Sequence, residues 1–77
     1  MPLLYLHIHD GKELIRDEQG ASFHDVEEAR REAVLAAREI AFEAVLTGRR
    51  MWRNCAFEIT DRDGKVLLRL PFKDALD

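Results

Sequence analysis

Ala33–Leu46, AVLAAREIAFEAVL, decides the fold. Its apolar residues recur at helical spacing. They are also more numerous than a helix lying on one small sheet requires, because such a helix buries a single stripe. Placed at 100° per residue, Val26, Ala29, Ala33, Ala37, Ile40, Ala41 and Ala44 share one face, with Val34 and Val45 at its margin. Alanine there lets a sheet approach closely. Leu35, Phe42 and Leu46 form a second stripe on the opposite side, between Arg38 and the pair Glu39 and Glu43. The first half of the helix has no second stripe; its outer face is Glu27, Glu28, Arg31 and Glu32. One subunit covers one of the two apolar sides. The other asks for a partner, most simply a second copy, with Leu35, Arg38, Glu39, Phe42 and Leu46 as the interface.

Helix boundaries follow from local chemistry. Asp25-Val26-Glu27-Glu28 fits a capping box, in which Asp25 accepts from the Glu28 amide and Glu28 reaches back. Acidic residues in this first turn suit the positive end of the helix dipole. Glu27 and Arg31 lie four apart in the favourable order. Gly48 supplies the C-terminal stop.

Before the helix, Leu3–His9 alternates as a strand, with Leu4, Leu6 and Ile8 on one face and Tyr5, His7 and His9 on the other. Asp10-Gly11 signals a hairpin into a shorter strand, Lys12–Arg16. Asp17-Glu18-Gln19-Gly20 has turn chemistry, and Ala21–His24 reads as a loop or brief extended piece. After the helix, Ala56–Thr60 reads as a strand with Cys55, Phe57 and Ile59 on one face. Asp61–Gly64 is a tight turn. Lys65–Leu70 is the last strand, with Val66, Leu68 and Leu70 inward and Leu67 and Arg69 outward. Pro71 ends it, and 72–77 allows a turn of helix. The order β-β-α-β-β predicts an α+β fold: a four-stranded, mostly antiparallel sheet with one long helix packed on one face. The expected strand order, counting these four strands along the chain, is 2-1-3-4.

Seventy-seven residues make one domain, spanning 1–77, and a marginal one. Apolar burial supplies roughly 120 kcal/mol for such a chain, and ordering it costs about 115 kcal/mol. Small chains close that gap with disulfides, metals or oligomerisation. Cys55 is the only cysteine, which excludes a disulfide within the chain and fits a reducing cytosol. One Cys and three His cannot build a four-cysteine or Cys2His2 zinc site. Association is what remains. The net charge of −3 does not favour DNA or anionic membranes. No apolar run reaches the length of a bilayer span, and no signal-peptide pattern is visible; a cytoplasmic location is expected.

The opening strand LLYLHIHDG, the segment LIRDEQG, the helix start DVEEARREAVLAARE and the ending FEITDRDGKVLLRLPFKDAL together resemble a family of short uncharacterised bacterial proteins. That family is a domain of unknown function frequent in rhizobia and related alphaproteobacteria. Its members more often open with an Arg-Tyr-aromatic run, from which Leu3, Leu4 and Tyr5 depart. The resemblance implies a small cytosolic α+β protein and carries no activity with it.

Few residues offer chemistry. His7 and His9 leave one strand face two residues apart, a spacing at which two imidazoles hold one metal ion; His24, Asp10 or a residue from another chain would have to complete the set. Against this stands a plain polar strand face beside Tyr5. Cys55 lies near Arg53, but its parity with Phe57 and Ile59 turns it inward. Arg49, Arg50, Trp52 and Arg53 form the one basic cluster, able to hold phosphates and stack a base or simply to complement the helix dipole. Asp61-Arg62-Asp63-Gly64 lacks the later ligands of a calcium loop. Met1-Pro2 before an apolar strand resembles the start of the tautomerase superfamily, small oligomeric enzymes in which an N-terminal proline amine acts as base. In that superfamily the helix follows the first strand almost directly; here a second strand intervenes.

The expected function is therefore a non-enzymatic, self-associating interaction or regulatory module, a homodimer or higher oligomer with no cofactor. The competing readings are a tautomerase-like enzyme using Pro2 and an anion or nucleic-acid binder using Arg49–Arg53.

Overall fold

A helix of 21 residues, α1 (Val26–Leu46), lies on an antiparallel sheet. The computed structural model describes residues 2–48 and 51–76. The strands are β1 (Leu3–His9), β2 (Leu14–Ile15), β3 (Ala21–Ser22), β4 (Ala56–Thr60) and β5 (Val66–Pro71). A 3-10 turn, Met51–Asn54, precedes β4, and a short helix, α2 (Phe72–Ala75), follows β5. The sheet order is β2-β1-β4-β5, the expected order of the two hairpins. The α+β architecture predicted from the sequence is the one observed.

The expected second strand shrinks to Leu14–Ile15. The segment 10–13 is a turn held by the Asp10 carboxylate, which accepts from the Lys12 and Glu13 amides at 2.9 and 2.7 Å. These two donors hold the Asp10 carboxyl below its ordinary pKa. Ala21–His24 contains β3, which pairs antiparallel with the start of β1, Leu3 opposite Ser22 and Leu4 opposite Ala21. Phe23 anchors it: its ring is buried and its N–H donates to the Pro2 carbonyl at 3.0 Å.

The N-terminal cap of α1 matches its sequence signature. The Glu28 N–H donates to Asp25 Oδ1 at 2.8 Å. Glu28 reaches back one residue further than a standard capping box, accepting from the His24 amide at 3.0 Å. Glu27 pairs with Arg30, three residues on, at 2.8 Å, not with Arg31; both residues are exposed, so the pair adds little. At the other end Gly48 takes φ +77°.

Ala29, Ala33, Ala37 and Ala41, four apart, are the buried side of α1. The first three pack in one core with Leu4, Phe57, Ile59, Leu70, Phe72 and Ala75, with Leu6, Ile8, Trp52 and Leu68 at the margin. Ile40 and Val45, expected on or beside this face, are exposed. The buried alanines repeat every four residues, so the covered side drifts around the helix by about 40° at each step. Ile40 stands about 100° away from Ala41 and is turned aside by that drift. Val45 is the next step of the same row and is exposed, so the covered row ends at Ala41.

Val66, expected inward, is also exposed. Ile59 pairs with Leu68 but Thr60 pairs with Val66, so Leu67 is an extra residue in β5. That bulge moves Val66 to the face shared with Thr60.

Candidate functional site

Two surfaces collect the residues singled out in the sequence: the open face of the sheet and the outer face of α1.

On the open face, Tyr5 and His7 stand two apart on β1 with stacked rings, 6.1 Å between centroids and 6° between planes. The Asp17 N–H donates to His7 Nδ1 at 2.9 Å. His7 Nδ1 is then an acceptor, which puts the ring proton on Nε2; Nε2 donates to Thr60 Oγ1 at 3.1 Å. The chain of bonds thus runs from the turn after β2, through β1, to the end of β4. Around it Tyr5, His7, Arg16, Asp17, Thr60 and Arg62 line an open cleft of about 300 Å³. Thr60 and His7 make a hydroxyl–imidazole pair in the wrong sense for nucleophilic catalysis. A general base must present a bare nitrogen to the hydroxyl, and here that nitrogen holds the proton.

The same bonds bear on the metal reading. Both ring nitrogens of His7 are engaged by protein atoms. His9 Nδ1 accepts from the Gly11 amide at 3.1 Å. Among the described residues no three His, Cys, Asp or Glu side chains gather where a metal could bind, so neither His24 nor Asp10 completes the His7–His9 pair.

Asp17 holds this corner together. Its Oδ2 accepts from Leu6 N–H at 3.2 Å, and its Oδ1 accepts from the Gln19 and Gly20 amides at 3.3 and 3.1 Å. Partial burial works against its ionisation, but these three donors prevail and hold the carboxyl below its ordinary value of 3.8. A carboxyl that ionises more readily in the folded state stabilises the fold above its unfolded pKa. That contribution fades as pH falls through the lower folded value. Asp17→Asn therefore costs about 1–2 kcal/mol at pH 7, allowing for its exposure. The gap from the parent closes below about pH 4, as melting temperature against pH will show.

Gly20 is the counterpart of Asp17 in this turn. It sits at φ +69°, and a Cβ built there would lie 2.8 Å from Tyr5 Cε2 and 3.1 Å from the Leu4 carbonyl oxygen. Gly20→Ala should cost about 1–3 kcal/mol and displace the Tyr5 ring, measurable as a lower denaturant midpoint and altered aromatic NMR shifts of Tyr5 and His7.

On the outer face of α1, Leu35, Phe42 and Leu46 are exposed, as are Ile40 and Val45. Two grooves flank Arg38. One, of about 430 Å³, includes Val34, Leu35, Leu70 and Ala75 in its lining. The other, of about 350 Å³, is lined by Arg38, Ala41, Phe42, Val45, Trp52 and Leu76. Arg38 separates them, its Nε donating to the Ala75 carbonyl at 2.8 Å. The terminal segment does not cover the stripe. Phe72 points into the core with no exposed surface, its ring 5.1 Å from that of Phe57. Leu76 borders the second groove and is itself exposed.

Of the basic cluster, Arg49 and Arg50 lie outside the described residues. Trp52 packs against the core, and the Arg53 guanidinium lies 5.7 Å from its ring centroid. Burial first, and then the Asp10 charge, push the Cys55 thiol up from its ordinary pKa, the direction that makes a thiol less reactive. Pro2 is exposed at the head of β1, and its carbonyl is taken by Phe23. The cleft on the open face and the Asp17 corner were not legible as a site: each rests on partners 10 to 53 residues apart.

Among the described residues, no helix is long and apolar enough to cross a membrane. The family model for the domain of unknown function (DUF6894) matches residues 3–73. No match was found among curated proteins or among solved structures.

Proposed function

The chain belongs to the DUF6894 family, a domain of unknown function, and we propose that it acts as a non-enzymatic interaction module that pairs with a second copy through the outer face of α1. One observation carries this reading. Leu35, Phe42 and Leu46 are 56%, 67% and 71% exposed, in line along one helix, with the chain's own terminal segment packed beside them. Apolar patches of this kind on small domains mark contact surfaces.

A second copy brings the same stripe and the same charged margins, which is what a closed two-fold interface requires. Binding of another protein by the dimer, for a regulatory purpose, would use surfaces left outside this contact.

Molar mass in solution across a dilution series tests the proposal. A mass of two chains falling to one on dilution is the expected result. A single-chain mass at the highest concentration removes it.

A further inference from the structure

We infer that the paired α1 helices run parallel, about a two-fold axis along their length, with Arg38 of each copy facing the partner's Glu39 and Glu43. This rests on the self-association proposed above and adds its geometry.

Charge placement selects the direction. Arg38 lies on one side of the Leu35–Phe42–Leu46 seam, while Glu39 and Glu43 lie on the other. A two-fold axis along the helices brings each left margin against the partner's right margin, so Arg38 meets carboxylates on both sides of the contact. A two-fold axis across the helices brings like margins together. Glu39 and Glu43 would then face the partner's Glu39 and Glu43, and like charges held together in an interface cost several kcal/mol. The parallel arrangement matches the way margin charges set orientation in helix pairs.

Arg38 is prepared for the role. Its Nε bond to the Ala75 carbonyl, 2.8 Å long, fixes the side chain between the two grooves, so less rotamer freedom is lost when the guanidinium meets a partner. On the same flank, the groove bordered by Phe42, Val45, Trp52 and Leu76 faces the partner's Glu43 margin. The partner's Leu46, next along its seam, is the apolar side chain that fills it. The contact is built from α1, the 3-10 turn and α2 together, and it leaves both open sheet faces turned outward.

Engineered disulfides in a Cys55→Ala background read the direction. In the parallel pair Leu35 lies across the axis from the partner's Leu35, so Leu35→Cys alone should oxidise to a covalent dimer. A mixture of Leu35→Cys and Leu46→Cys chains should give little mixed product. The opposite pattern, with only the mixture linking, overturns the parallel geometry while leaving self-association standing. A single-chain mass before oxidation overturns both. Charge exchange gives a second readout. Arg38→Glu should weaken pairing about 10-fold or more, and adding Glu43→Arg should recover most of it. If the double variant is no tighter than Arg38→Glu alone, the Arg38–Glu43 contact is wrong.

Discussion

Phe42→Glu yields a folded chain that light scattering weighs as one copy at concentrations where the parent weighs two. Phe42 is 67% exposed in the single chain, so its replacement removes little from the fold, and Glu is at least as good a helix former as Phe. In the proposed dimer the same position sits on the seam. Each copy would lose an aromatic ring, worth about 1.5–3 kcal/mol on full burial, and would place a carboxylate on the apolar seam, a desolvation cost that Arg38 in the same groove offsets only in part. The dissociation constant should rise by at least about a thousandfold, enough to leave no dimer at ordinary working concentrations. The parent's melting temperature should rise with its concentration and the variant's should not, because only the parent couples folding to association. A variant that keeps the parent's mass and its concentration dependence would place the contact elsewhere.

Phe72→Ala should unfold the chain or lower its melting temperature by about 15–30 °C. Phe72 is one of the two largest fully buried side chains, with Ile59. Its ring packs on Phe57 and its N–H donates to the Cys55 carbonyl at 2.9 Å, so it fastens α2 to the start of β4. Truncating a buried Phe costs about 3–5 kcal/mol, and a domain this size holds only about 4–12 kcal/mol in all. Phe72→Leu, which keeps most of the volume, should cost about 1.5 kcal/mol or less. Thermal melts followed by circular dichroism separate the two. If Phe72→Ala melts within a few degrees of the parent, α2 is not docked as described. Loosening α2 also frees the Ala75 carbonyl that holds Arg38, so any folded fraction of this variant should associate more weakly than the parent.

Features coded within a few residues were readable from the sequence. Asp25 caps α1 because its carboxylate and the Glu28 amide are neighbours in any helix that starts there. The buried alanines follow from helical periodicity alone. What the periodicity could not convey was how the buried row winds around the helix and where it stops. A row spaced by four drifts away from Ile40, and Val45, its next step after Ala41, is exposed. Val66 shows the same limit in a strand: alternation puts it inward, and one extra residue at Leu67 turns it out.

The corner built on Asp17 was the least legible. Asp17–Gly20 advertises a turn and nothing else. Its importance lies in Leu6, eleven residues earlier, in His7, and in the Tyr5 ring that leaves room only for a hydrogen at Gly20. The exposed stripe on α1 was legible because a second apolar line on a helix stands out against the charged residues around it. The absence of a cover over it depended on where Phe72 goes, which spacing alone leaves open.

The break between β2 and β3 has a further consequence. Both short strands pair with β1 on the same side, and between them the amide of Leu6 is capped by the Asp17 carboxylate. A foreign strand approaching that border finds no continuous row of backbone groups to copy. The other border is no better a template, with a bulge at Leu67 and a proline at position 71 that has no amide proton to offer. The contact surface proposed for this chain lies on a helix, and both rims of its sheet are blunted, so copies that meet through α1 should do so without adding strands to one another.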